Sequence, residues 1–137
     1  MSELVGTTVD VVELDVERGK VLEMVRATHA LDPAHIKRGL ATATHVVVAG
    51  HHRDQRGVVE GLGLELARIV VGSVGWTYAR PLVVGDHLVG TRRVVADDTR
   101  EGSGGTLRLV TLETAWTDLR GQVVVTQREV LVERPAR

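Results

Sequence analysis

Asp32 and His35 stand three residues apart in the run Leu31-Asp32-Pro33-Ala34-His35. That spacing puts both on one face of a helical turn. A carboxylate and an imidazole are the two side chains most used for moving protons near neutral pH. Asp32 directly before Pro33 also reads as a helix N-cap with proline at the first helical position, and His35 as a partly exposed residue of the same turn. His45 stands alone beside three valines, as a pocket residue or a satisfied buried one. His51 and His52 sit with Arg53, Asp54 and Arg56 in a polar run that reads as a solvated loop. A metal needs three or four ligands in defined geometry, and the spacing supplies no such set, so no metal site and no cofactor are expected. His87 follows Gly85-Asp86 and is expected at the surface. With no cysteine, disulfides, thiolate zinc sites and a cysteine nucleophile are excluded. Gly61-x-Gly63 lacks a third glycine, and no phosphate loop or Gly-x-Ser-x-Gly elbow occurs.

These residues need elements to position them. The 137 residues predict one domain, 1–137. A net charge of −1, with the basic residues spread along the chain, argues against nucleic acid as a partner. No apolar run reaches the length of a membrane span, and the acidic start does not resemble a signal peptide. No membrane association and a cytoplasmic location are therefore expected. The apolar set is 26 Val and 15 Leu, with only Trp76, Tyr78 and Trp116 as aromatics. Valine is stiff at χ1 and suits pleated sheet. So few aromatics leave little apolar area per core residue, which favours support from a partner subunit. The three aromatics themselves read as core or interface.

Residues 8–16 alternate as a first strand, and Val21, Leu22, Val25 and Thr28 fall at helical spacing over 17–28. Asp32-Pro33 starts a one-turn helix that Gly39 would stop. Thr42 or Thr44 would cap a further helix running to His52, although the valine triplet also suits a buried strand. From residue 68 the pattern is sheet. One strand ends near Pro81, a second follows the Gly85-Asp86 turn, Arg100–Gly105 reads as a loop, and two more strands cover 106–118 and 122–133. Alternation slips near Leu109–Leu112, which predicts a bulge. Helices segregated from antiparallel strands give an α+β fold.

The stretch "GWTYARPLVVGDHLVGTRRVVAD", followed by "GGTLRLVTLETAWTDLRGQVVVTQREVLV", resembles the MaoC-like dehydratases. Within them it is most similar to the type related to the fatty-acid-synthase dehydratase region and to mycobacterial-type β-hydroxyacyl-ACP dehydratase subunits. The shared pieces are Tyr78, Arg80-Pro81, Gly85-Asp86, Gly104-Gly105-Thr106, Glu113-Thr114, Thr117-Asp118 and Gly121, and "VERGKVLEMVRAT" resembles the family's first helix. The likeness covers about residues 8–133. Each piece by itself also has a structural reading as a strand end, turn or loop. The resemblance implies a hot-dog fold, a curled antiparallel sheet around a central helix. It also implies a dimer, homo- or heteromeric, with a second hot-dog subunit, and an acyl-ACP or acyl-CoA thioester as substrate.

Dehydration of a 3-hydroxyacyl thioester needs a base for the proton next to the carbonyl, an acid for the leaving hydroxyl, and donors for the thioester oxygen. In the family an Asp and a His in a G-D-x-N-P-x-H segment do the proton work. Here Pro33 and His35 match, Asp32 stands where the family has Asn, and Ala30 replaces the catalytic Asp. "ATATHV" occupies the approach to the central helix without the family's prolines. The resemblance therefore makes His35 and Asp32 the expected catalytic residues, and His45 and Thr44 the expected substrate-binding ones. It leaves two outcomes: an enzyme whose site was rebuilt around Asp32 and His35, or a catalytically silent partner of an intact subunit. A hot-dog thioesterase ranks last, because 41–52 holds no acid.

Overall fold

The computed structural model describes residues 2–137. Strand β1 (Thr8–Asp15) leads into helix α1 (Arg18–Thr28) and the one-turn helix α2 (Ala34–Lys37). A 3-10 helix (His45–His52) and helix α3 (Gln55–Gly61) follow. The chain closes with strands β2 (Ile69–Tyr78), β3 (His87–Gly102), β4 (Gly105–Thr117) and β5 (Val123–Glu133). The five strands form one sheet in the order β1-β3-β4-β5-β2, and every neighbouring pair is antiparallel. This is the α+β arrangement expected.

Each of the four strand pairs carries a single register shift. The shifts fall between Thr8 and Asp10, Val71 and Ser73, Val94 and Ala96, and Trp116 and Thr117. An extra residue bends a strand and increases its twist, so these bulges curl the sheet. The slip expected at Leu109–Leu112 is real, but the extra residue, Val95, is on β3 facing Thr111 and Leu112.

The central helix is 3-10 rather than α. Three successive β-branched valines and Gly50 both weaken an α-helix here. The Arg100–Gly105 loop is shorter than expected: β3 runs on to Gly102, and only Ser103-Gly104 separates it from β4. Helix α3 lies where a solvated run was read. Asp54 caps it by accepting the Gly57 N–H at 3.0 Å.

Two apolar clusters fill the concave side. One joins Leu14, Val16 and Val21 to Val46, Ala49, Leu88, Trp116 and Val125 beneath the 3-10 helix. The other joins Val59, Leu62 and Leu64 of the α3 region to Val94, Val110, Leu112 and Leu131. Gly90 gives Trp116 its place: a Cβ there would lie 2.6 Å from the indole ring.

Candidate functional site

Helix α1 ends on His29, whose left-handed backbone (φ 53°) lets the Ala30 N–H donate to the Val25 carbonyl at 3.0 Å. The chain then turns through Asp32-Pro33 into α2. Asp32 Oδ1 accepts the Ala34 N–H at 2.9 Å, so the carboxylate caps this turn as its sequence position suggests. The His35 ring is held by a 2.7 Å bond between Nδ1 and the Leu40 carbonyl. A carbonyl oxygen only accepts, so Nδ1 carries the proton and Nε2 is the nitrogen left for chemistry. The spacing argument put Asp32 and His35 on one turn, and they are. Among the described residues, though, no hydrogen bond or ion pair joins their side chains. Only the backbones meet, where the His35 N–H donates to the Asp32 carbonyl at 3.2 Å.

The shared sequence pieces build the platform beneath this turn. Asp86 takes two hydrogen bonds from Arg80, at 2.8 and 3.2 Å, and accepts the Val83 N–H at 2.9 Å. The segment so fixed clamps the chain after α2. Ala41 N–H donates to Leu82, and Val84 N–H to Gly39, each at 2.9 Å. Arg80-Pro81 and Gly85-Asp86 thus hold the loop that carries Leu40, and through it the His35 ring. At the far hairpin, Asp118 accepts the N–H groups of Arg120 (2.9 Å) and Gln122 (3.0 Å), while Gly121 takes a positive φ of 78°.

The 3-10 helix begins in a pocket of unpaired polar atoms. Thr44 precedes it without a side-chain capping bond, and the Tyr78 hydroxyl donates to the Ala43 carbonyl. His45 is fully buried, and both ring nitrogens lack a partner, as does the buried Thr42 hydroxyl. Burial lowers the His45 pKa below its ordinary value of 6.5, so the ring is neutral at pH 7. A cleft of about 340 Å³ lies between Ala41–Ala43 and Tyr78–Leu82, and His45 does not line it. His51 and His52 are exposed, as expected. His87 is half-buried, at 2.6 Å from Asp15.

A charged cluster on the concave face was not read from the sequence. Arg92 is 2% exposed. It donates to both oxygens of Asp10 (3.0 and 2.8 Å), to Glu129 (2.8 Å) and to Gln55 (3.3 Å). Arg53, assigned to the solvated run, instead donates to Asp10 at 2.7 Å and lies 5.7 Å over the Trp116 ring. Burial opposes ionisation of Asp10, but the hydrogen bonds and charges of Arg92 and Arg53 outweigh it and hold the carboxyl below its usual range. The one available signal was the alternation of β3, where an arginine occupies an inward position. Without the facing strands that residue has no partner to suggest burial.

The family model described as "FAS1-like, dehydratase domain region" matches residues 3–127. A UPF0336 protein of Clavibacter michiganensis subsp. michiganensis (strain NCPPB 382) is 33% identical over 130 residues, covering 87% of this chain and 85% of the relative. The HadBC (3R-hydroxyacyl-ACP dehydratase) complex of Mycobacterium tuberculosis superposes with a TM-score of 0.75 at 19% identity, over 96% of this chain and 98% of that one. The (R)-hydratase of A. caviae involved in PHA biosynthesis gives a TM-score of 0.65 at 17% identity, over 98% and 99%. At such identities the solved structures establish the fold, which is the hot-dog expected of MaoC-like dehydratases. The family match, which spans nearly all of the sheet as well as the His35 turn, makes this chain a member of the FAS1-like dehydratase-region family.

Proposed function

We propose that this chain is one subunit of a 3-hydroxyacyl-thioester dehydratase or enoyl-thioester hydratase, acting on an acyl group carried by ACP or CoA. The observation that carries the proposal is the His35 ring, fixed through Nδ1–H to the Leu40 carbonyl with Nε2 available. An imidazole locked in one tautomer suits a group that takes the proton next to the thioester carbonyl or returns one to the leaving hydroxyl. The leaving hydroxyl then departs as water. Thr44 and His45 belong to the thioester end of the same site. Thr44 keeps a side chain free of capping duty. His45 has no accessible surface, so a thioester reaches its ring only if the residues around it move aside.

The second member of the acid–base pair is not free in this chain. Ala30 cannot exchange a proton, and Asp32 is engaged at the N–H of Ala34. This favours a second reading, in which a partner subunit with an intact Asp–His segment does the chemistry and this chain shapes the acyl pocket. Pairing with a second hot-dog, of the same or another kind, has its own support. Strand β2 is an outermost strand with no charged residue and with Val70, Val71 and Val74 exposed. The opposite edge, β1, carries Asp10, Glu13 and Asp15. Charge protects an edge from pairing, and an uncharged apolar edge invites it. Leu31 (91% exposed) and Ile36 (57%) flank the His35 turn and suit coverage by the same partner.

Hydration of crotonyl-CoA, followed at the enoyl-thioester absorbance, separates the two readings. The chain alone is compared with the chain plus a hot-dog subunit that carries the intact segment. Activity alone assigns the chemistry to this chain. Activity only in the mixture assigns this chain to the pocket. Inactivity in both, with ACP-bound and longer acyl substrates as well, removes the dehydratase reading.

A further inference from the structure

The His35 ring is held by a peptide unit rather than by a second side chain. The Leu40 carbonyl that accepts Nδ1–H at 2.7 Å and the Ala41 N–H belong to one planar trans peptide. The two polar ends of that peptide point opposite ways, so fixing one fixes the other. At its far end the Ala41 N–H donates to the Leu82 carbonyl at 2.9 Å. The Leu82 carbonyl, the Leu40–Ala41 peptide and the His35 ring therefore form one hydrogen-bonded line, in which each bond polarises the next.

The connection between β2 and β3, residues 79–86, aims this line. Leu40 and Val83 form an antiparallel bridge, and beside it the Val84 N–H donates to the Gly39 carbonyl at 2.9 Å. The backbones run close here: a Cβ on Gly39, whose φ is 64°, would lie 3.2 Å from Val84 Cγ2. The turn at the end of the connection closes without Arg80. The Asp86 N–H donates to the Val83 carbonyl at 3.0 Å, and Asp86 Oδ2 accepts the Val83 N–H at 2.9 Å. Val16 anchors this end to the chain between β1 and α1, bonding Gly85 at 2.9 Å and Asp86 at 2.8 Å. What the two-pronged bond from Arg80 to Asp86 adds, at 2.8 and 3.2 Å, is a tie between the start of the connection and its end. Leu82 and Val84, which grip residues 39–41, lie inside that tie. A partly exposed ion pair adds about 1 kcal/mol or less to stability, so its main effect here is on position.

We propose that Asp86 and Arg80 are positioning residues for His35: their pair sets the Leu40–Ala41 peptide, and that peptide sets the Nδ1–H tautomer that leaves Nε2 as the basic nitrogen. The proposal rests on the catalytic reading of His35 above. A neutral imidazole in water prefers its proton on Nε2, so the opposite tautomer persists only while the Leu40 carbonyl stays in place. Neither Asp86 nor Arg80 bonds the ring; both act through Leu40.

The test uses the full chain, with its partner subunit where turnover needs one. Proton–nitrogen NMR correlations within the histidine rings, recorded at about pH 8 where an ordinary histidine is neutral, show which nitrogen carries the proton. His35→Gln identifies the His35 signals among those of the six histidines. Asp86→Asn keeps an oxygen for the Val83 N–H but turns an amide N–H₂ towards Arg80, which breaks the two-pronged bond. Arg80→Gln, at a partly exposed side chain, makes the same break from the other end and covers the case in which Asp86→Asn folds poorly. In both variants His35 is expected to pass from Nδ1–H to a mixture rich in Nε2–H. In both, kcat for crotonyl-CoA hydration should fall about tenfold or more while KM stays within about twofold. Asp54→Ala removes the α3 cap and so weakens the fold elsewhere; it should leave the His35 tautomer as it is. The proposal is overturned if the natural chain already carries Nε2–H, if His35 keeps Nδ1–H in the folded variants, if Asp54→Ala releases it too, or if the tautomer changes while kcat does not. The tautomer is read without turnover, so its release in variants of a protein that never hydrates crotonyl-CoA would sink the catalytic reading alone.

Discussion

Asp32 can be tested for its two roles separately. Asn caps a helix as well as Asp but cannot exchange a proton. If Asp32 is catalytic, Asp32→Asn should keep the stability of the fold and lower turnover about a hundredfold, the usual scale for a general acid or base. If it only caps, Asp32→Asn should be silent, while Asp32→Ala should cost about 1 kcal/mol in urea unfolding. His35→Ala is expected to lower turnover by a similar factor of about a hundred in any assembly where this chain does the chemistry. Unchanged turnover would assign the proton transfers elsewhere. His45 makes a prediction about pH. Its folded pKa lies below the 6.5 of the free side chain. Unfolding therefore takes up a proton as the pH falls below that value, and stability held above it is lost on the acid side. Urea unfolding at about pH 7.5 and about pH 5.5 should show a smaller loss for His45→Leu than for the natural chain. Equal losses would mean that other groups set the acid response. All three side chains were identified from the sequence. The Asp32 cap was legible as well, but the bonding of His35 was not, because its acceptor lies five residues on, in a loop held by Leu82 and Val84.

The elements follow local rules with a few revealing exceptions. The strands come from valine-rich alternation, and α1 from its helical spacing. The Arg80-Pro81 and Gly85-Asp86 pieces looked like separate strand-end and turn signals. In the fold they are one device, because Arg80 reaches Asp86 across the turn. Helix α3 went unread because its seven residues are too few for a periodic pattern, and its only clear signal was the Asp54 cap. The packing of β3 on β4 makes a sharp prediction. Gly90→Ala would put a methyl carbon 2.6 Å from the Trp116 ring. The overpacking should cost about 1–3 kcal/mol in urea unfolding. A loss near zero would mean that Trp116 moves freely, in conflict with its bond to Gln127 and its contact with Arg53.

At the scale of the whole molecule, the proposed pairing with a second subunit is tested at β2. The strand is uncharged and lies at the sheet edge, with Val71 59% exposed. A lysine on an edge strand blocks pairing with another chain. If this chain pairs with itself as proposed, Val71→Lys is expected to turn the dimer into a monomer in sedimentation velocity at micromolar concentration, with little change in the fold of the single chain. A natural chain that is already monomeric at that concentration, without a second subunit, would instead point to a heteromeric partner.

The sequence by itself determined what is local: strand and helix periodicity, the turn residues, the Asp32 cap, the absence of thiol chemistry, and the family likeness carried by the Arg80–Asp86 and Glu113–Gly121 segments. Only the tertiary structure decided the rest. Arg53 and Arg92 are 39 residues apart in number, so nothing in either neighbourhood announces that both meet Asp10. Trp76 and Trp116 look alike as strand aromatics, yet one indole N–H finds Gln127 and the other is buried without a partner. Such differences depend on which strands lie side by side and in what register. That is set by how the two apolar clusters close around the charge cluster of Asp10, Arg92 and Glu129, a choice made by the whole chain at once.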